Sequence, residues 1–361
     1  MSTSLLGLDD WGRLEDRLGG ATALASSAKR HGALLRRRGV RDASTLLRLA
    51  LMYGPGGQSL RSLSALAEME AVAELSDVAL LNRLKGAAGW LEALCRDYLA
   101  QVAGRLTPAV TGHPTRLIDA SVIEGPGRTA WRLHLCFAPH EQRMVAASIT
   151  PLEQGERLDR LASQPNEIRI GDRGYPQPDG LRRTREAGAD VLVRITWNSL
   201  RLLDETGRPI EWRRLFSQAD QQGALDRPVV VDKLRGHFAP LALRLVMIRK
   251  PPQAAAKARL KARKASRRQQ RRHTDPHTLA AADFLILLTS LDGDSFPVHA
   301  LGTLYRLRWQ VELAFKRLKS LLHMDALRAR HPDLARAWLY AHLLFALLVE
   351  ETLADIEAMP P

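Results

Sequence analysis

At Pro114 the spacing of apolar residues changes from every third or fourth position to every second, which demands two kinds of architecture in one chain. From Ala43 to about Leu106, the segments STLLRLALM, LRSLSALAEM, VALLNRL and LEALCRDYL carry the helical spacing and predict four short helices. Gly54 to Gly57 separate the first two, Ser59 caps the second, and Ser76 with Asp77 opens the third. Such a unit is either a helix-turn-helix that docks on DNA or an ordinary helical bundle, and no side chain in it selects between the two.

After Pro114, RLIDASVI, WRLHLCF and RMVAASIT alternate as strands, with a GPG turn at Gly125 to Gly127, and predict a three-stranded meander. A helix from about Gly155 to Ala162, a strand EIRIGD, a helix LRRTREAG and a strand ADVLVRIT follow, the alternation of an α/β sheet. Leu200 to Ile248 then reads as a β-rich insertion without a convincing helix. FLILLTSL returns to strand, a long amphipathic helix runs from Pro297 to about Leu322, and a last helix from Arg336 to about Ile356. With 361 residues, the chain divides into a helical region 1–110, a core of 111–197 with 296–330, an insertion 198–295 and a short helical segment 331–361.

Charge limits the partners. Lys and Arg number 53 against 39 acids, a net +14 that calls for an anionic partner, nucleic acid or a membrane surface. Arg249 to Arg272 alone holds eleven cations and no acid, interleaved with Ala as in a helix, and a phosphate partner relieves their mutual repulsion. Spanning a membrane fails on length, because the apolar run Ala337 to Val349 contains His342 and falls short of the roughly 20 residues a bilayer requires. That run reads as a core helix. The start, MSTSLLGLDDWGRLED, places acids where an export signal carries cations, and Cys95 and Cys136 are too few for a disulfide framework. A cytoplasmic, nucleoid-associated protein is expected.

Asp119, in LIDAS, and Asp172, after IRIG, both follow apolar strands, and ligand sites of open α/β sheets gather at strand ends. Either one alone reads equally as a turn residue. The third element is LYRLRWQVELAFKRLKSLL. At about 100° per residue, Tyr305, Arg308, Glu312 and Lys319 form one stripe, with Leu304, Leu307, Val311, Phe315 and Leu318 largely on the packing face. The bland reading is a solvated stripe in which Arg308, Glu312 and Lys316 pair at i,i+4 for a few tenths of a kcal/mol. Taken together, two strand-end aspartates and a helix glutamate offer hard oxygen ligands to two Mg²⁺ ions, with Mn²⁺ as a substitute, beside cations suited to a phosphodiester. His134 reads as a satisfied core histidine, and Trp197 and Trp212 as packed rings.

These residues resemble a family. LIDAS, IGDRGY, the insertion before the third acid and the Y-x2-R-x3-E-x6-K spacing of Tyr305, Arg308, Glu312 and Lys319 are similar to the DDE transposases of bacterial insertion sequences, in particular the insertion-sequence-four family. The resemblance spans about Ala43 to Ile356. It implies an α/β fold: a ribonuclease-H-like mixed sheet flanked by helices, a β-rich insertion before the last catalytic helix, and a helical N-terminal DNA-binding domain. It implies Asp119, Asp172 and Glu312 as metal-binding catalytic acids, and Tyr305, Arg308 and Lys319, with Lys316 nearby, as contacts to the transposon end. The expected activity is metal-dependent strand cleavage at terminal inverted repeats of double-stranded DNA and strand transfer into target DNA, by a homodimer on DNA. Family members usually continue further past the third acid than the 49 residues found here after Glu312, so either Arg336 to Ile356 makes the dimer contacts or the protein is a shortened copy. The alternative is a truncated or catalytically silent DNA-binding regulator of transposition.

Overall fold

The computed structural model of the protein describes residues 11–106, 112–232, 240–270 and 273–357. Residues 1–10 of the acid-bearing start, and Arg271 and Arg272 of the basic run, lie outside the described residues.

The N-terminal region holds α1 (Trp11–Arg17), α2 (Gly20–Arg30), α3 (Ala43–Tyr53), α4 (Leu60–Met69) and α5 (Asp77–Arg105). Side-chain oxygens start three of them: Asp42 accepts from the Thr45 N–H at 2.7 Å, Ser59 from Ser62 at 3.0 Å, and Ser76 from Ala79 at 3.2 Å. The third and fourth expected helices are fused into α5. Gly86 and Gly89 lie within it, each weakening the helix by about 1 kcal/mol, but the adjacent Ala87, Trp90, Leu91 and Leu94 are buried in the core, and packing outweighs propensity.

The sheet starts with β1 (Thr115–Glu124), β2 (Ala130–Ala138) and β3 (Arg143–Pro151), the expected antiparallel meander. It continues with β4 (Ile168–Gly171), α6 (Pro178–Glu186) and β5 (Asp190–Arg194). Then come β6 (Leu202–Leu203), α7 (Trp212–Gln222), β7 (Ala224–Val231), β8 (Leu241–Arg249), α8 (Pro252–Arg268), α9 (Pro276–Ala281) and β9 (Phe284–Thr289). The order is β3-β2-β1-β4-β5-β9-β8-β7-β6, with β4 parallel to both β1 and β5 and the other pairs antiparallel. Its first five strands have the order and sense of a ribonuclease-H-like core. The strands of 198–295 are not a separate layer: β9 pairs with β5, and β8 with β9, so they extend the same sheet.

Two sequence expectations fail here for identifiable reasons. No helix forms over 155–162, because the buried Arg169 guanidinium donates to the carbonyls of Leu158 at 2.9 Å and Leu161 at 2.6 Å and also to Ala162. Those carbonyls turn inward to a cation held by Glu167 at 2.7 Å. Conversely, the insertion does contain a helix, α7; its sequence WRRLFSQADQQ is polar, and only Phe216 and Ala219 of it are buried.

The last region comprises α10 (Val298–Arg306), α11 (Trp309–Lys316), a π-helical turn (Arg317–Leu321) and α12 (Pro332–Glu357). The expected continuous helix from Pro297 to Leu322 is thus broken. The N–H groups of Gln310 and Val311 bond three residues back, to Leu307 and Arg308, tightening the chain at Arg308. The chain widens again at 317–321, where the Leu322 N–H bonds to Arg317.

Each face of the sheet has its own core. Leu117, Leu135, Ile170, Leu192 and Leu287 pack with Trp90 and Leu91 of α5 and Leu344 of α12. Ile118, Val191, Val193 and Leu245 pack with Leu181 of α6 and Phe216 of α7. The apolar run expected as a core helix is one: α12 packs on α5 and β3, and its His342 is 2% exposed, with Nδ1 2.9 Å from the Trp338 carbonyl. Among the described residues no helix is long and apolar enough to cross a membrane.

Candidate active site

The parallel register of β1 and β4 pairs Leu117 with Ile170. Asp119 and Asp172 each come two residues later, so they stand side by side where that pairing ends. Asp119 is not at a strand end, as its sequence suggested, because β1 continues to Glu124 along β2. The true strand end is that of β4, and its departure opens the space that both carboxylates face. Asp119 shares the parity of Leu117, which puts it on the face where α11 packs against β1.

Each aspartate is held by a backbone N–H close by in sequence, Asp119 within its strand and Asp172 in the turn that follows β4. Asp119 accepts from the Ala120 N–H at 2.9 Å, and Asp172 from the Gly174 N–H at 2.7 Å. Burial raises the Asp119 carboxyl to about 6; the Ala120 N–H and Arg308 oppose this, and the charges of Asp172 and Glu156 add to it. The helix break supplies the compensating cation. Arg308 lies 3.4 Å from Asp119 Oδ2 and also bonds Glu312, four residues on, whose side chain is 57% exposed.

The expected three-acid cage is not closed. Among the described residues, no three His, Cys, Asp or Glu side chains stand close enough to hold a metal ion. Instead Asp119 stands beside Asp172, and Glu312 lies across Arg308 from them. The donors are nonetheless all carboxylate oxygens, the hard set that suits a divalent cation, and they fit one by chemistry.

The remaining stripe residues divide by environment. Tyr305 is 7% exposed and its hydroxyl has no hydrogen-bond partner, so its ring is core and not open to a base. Lys319 donates to the Val122 carbonyl at 2.7 Å, tying the π-helical turn to β1 three residues beyond Asp119. Lys316 is exposed at the end of α11. His134, 2% exposed, meets Thr150 Oγ1 at 2.9 Å, and burial lowers its pKa to about 4, as a neutral core histidine requires. Trp197 donates to Thr278 Oγ1 at 3.1 Å, and Trp212 stacks on Phe216.

Sequence reasoning missed four features of this region. Trp309, next to Arg308, is 54% exposed. Arg173 and Arg194 lie near Tyr305, burial and the Arg194 charge lower the pKa of Arg173, and burial with these two arginines lowers Lys250 to about 8. Arg194 and Lys250 lie at the ends of β5 and β8, so the strand-end rule that found the aspartates could have found them. Glu156 comes from the stretch expected to be helical and stands against Gly174.

Residues 111–348 match the family model described as a transposase DDE domain. The transposase InsL of insertion sequence element IS186A from Escherichia coli K12 is 41% identical over 362 residues, covering 98% of this chain and 96% of that protein. The transposase of insertion sequence element IS421 from Escherichia coli is also 41% identical, over 363 residues, with 98% and 96% covered. With the sheet order, the level aspartates and the Arg308–Glu312 helix already in place, this chain belongs to the family of DDE transposases, enzymes that act on DNA.

Proposed function

We propose that the chain cuts a DNA strand at each terminal inverted repeat of its insertion sequence and joins the freed 3′-hydroxyl to target DNA, with Asp119, Asp172 and Glu312 holding two Mg²⁺ ions for which Mn²⁺ substitutes. The observation that carries this reading is the level placement of Asp119 and Asp172 beside the α11 stripe. When bound, the ions supply a Lewis acid for the leaving oxygen and a lowered pKa for the attacking hydroxyl.

The residues of the chain do the rest. Arg308 and Lys319 bind phosphates flanking the cut, and Lys316 extends that contact along the backbone. Arg173, Arg194 and Lys250 form a cationic wall on the Asp172 side. Trp309 offers the exposed ring that buried Tyr305 does not, so an unstacked base near the cut rests on Trp309. On α8, Lys257, Lys261, Arg263, Lys264, Arg267 and Arg268 are exposed and track the duplex by charge. Residues 1–110 form the DNA-binding region, and two copies pair on DNA, in the cytoplasm at the nucleoid.

The test is a cleavage assay on linear DNA carrying the element's terminal repeats. Asp119→Ala should abolish Mg²⁺-dependent nicking and leave binding largely intact; a variant that still cuts would overturn the assignment.

A further inference from the structure

Glu156 is not one of the three acids, yet it stands against Asp172. Where a Cβ on Gly174 would be, Glu156 Oε2 lies 2.2 Å away and Asp172 Oδ1 3.2 Å away. The glycine therefore leaves the room in which the two carboxylates face each other. Any L side chain at 174 would displace one of them, and the Glu156 carboxylate is the nearer.

An acid with a purely structural task ends on a close cation or on backbone N–H donors. Glu156 has Arg132 at 3.9 Å, at the limit of an ion pair, and its half-buried carboxylate stands beside another. A second feature lies beside the same acids. Tyr175 is fully buried, its hydroxyl has no hydrogen-bond partner, and the charges it feels most are those of Asp119, Glu156 and Asp172. Unlike Tyr305, Tyr175 is a buried, orphaned hydroxyl within reach of three carboxylate charges, a polar group that no closed protein network satisfies.

We infer that Glu156 is a fourth carboxylate of the metal site, acting with Asp172 to hold a divalent cation, and that Gly174 is glycine so that Glu156 can reach it. The inference rests on the proposed metal-binding role of Asp119 and Asp172. Glu156 adds negative charge beside Asp172, whereas Asp119 already has Arg308 as its compensating cation. Losing it weakens the ion held there without changing the triad.

Calorimetric titration of the DNA-free protein with Mn²⁺ tests this by binding alone. Glu156→Gln should weaken Mn²⁺ binding roughly 10- to 100-fold with an unchanged circular dichroism spectrum and melting temperature. Gly174→Ala, which drives the Glu156 carboxylate out by contact, should show the same loss with the glutamate still present. If both variants bind Mn²⁺ like the wild type while Asp172→Asn loses it, the Glu156 assignment is overturned and the three-acid reading stands. If Asp119→Asn and Asp172→Asn also bind like the wild type, the metal-site reading itself fails.

Discussion

Arg308 reaches 3.4 Å from Asp119 while bonding Glu312 one turn further along its own helix, so a single guanidinium joins the helix acid to the strand acid. The planar fork of arginine makes both contacts at once, whereas a lysine ammonium is a single point charge on a flexible stem. Arg308→Ala should lower nicking in a single-turnover assay by about 10- to 100-fold, a loss on the order of 1.4–2.7 kcal/mol in the transition state. Arg308→Lys should recover part of that loss and no more.

Lys319 should act at the phosphates. Its ammonium now donates to Val122 on β1, which holds it beside the strand that carries Asp119. Lys319→Ala should weaken binding to terminal-repeat DNA, measured by fluorescence anisotropy across a salt series. The slope of log affinity against log salt should fall by about one, the signature of a lost phosphate contact.

Lys250 should give DNA binding a pH dependence. Its pKa is lowered to about 8 by burial and by Arg194 and Arg173, so the free protein loses this charge as pH rises through 8. A bound phosphate favours the charged form and pulls the pKa back up, so binding takes up a proton above pH 8. Affinity should be about tenfold lower at pH 9 than at pH 7.5. Lys250→Met should bind more weakly and show a flatter profile over that interval.

Glu350 should govern stability instead of catalysis. Burial raises its carboxyl to about 7, against the Met144 N–H that it accepts at 3.3 Å and the cations Arg143 and Arg317. A carboxyl whose pKa rises on folding contributes stability that is whole below its ordinary 4.5 and is lost as pH passes through 7. Glu350→Gln, a permanent neutral mimic, should raise the melting temperature at pH 8, by about 1–2 kcal/mol of stability, and change it little at pH 5. Thermal denaturation at the two pH values checks this.

Local periodicity carried much of the fold into view. The β1–β3 meander, the α/β alternation and the core helix α12 follow from apolar spacing that tertiary packing reinforces. The failures are tertiary in origin. Residues 155–162 lose their helix to the buried Arg169, which lies outside that segment, and α7 is held by Phe216 and Ala219 within an otherwise polar stretch. For the site, residue type and strand position pointed to Asp119 and Asp172, and family resemblance to the stripe. A straight-helix projection treats Tyr305, Arg308, Glu312 and Lys319 alike. The break at Arg308 and the π-helical turn instead bury the first, wedge the second between two acids and tie the last to β1. Glu156 had no local signal at all: its meaning depends on the missing side chain of Gly174, eighteen residues away.

The central claim is that Glu312 acts on the same metal as the strand aspartates, although Arg308 stands between them in this arrangement. Glu312→Cys exchanges a hard oxygen donor for a sulfur that binds Mn²⁺ better than Mg²⁺. Assayed on terminal-repeat DNA, this variant should be inactive with Mg²⁺ and regain nicking with Mn²⁺, while Glu312→Ala stays inactive with both. Wild-type nicking by Glu312→Ala with Mg²⁺ would contradict the account.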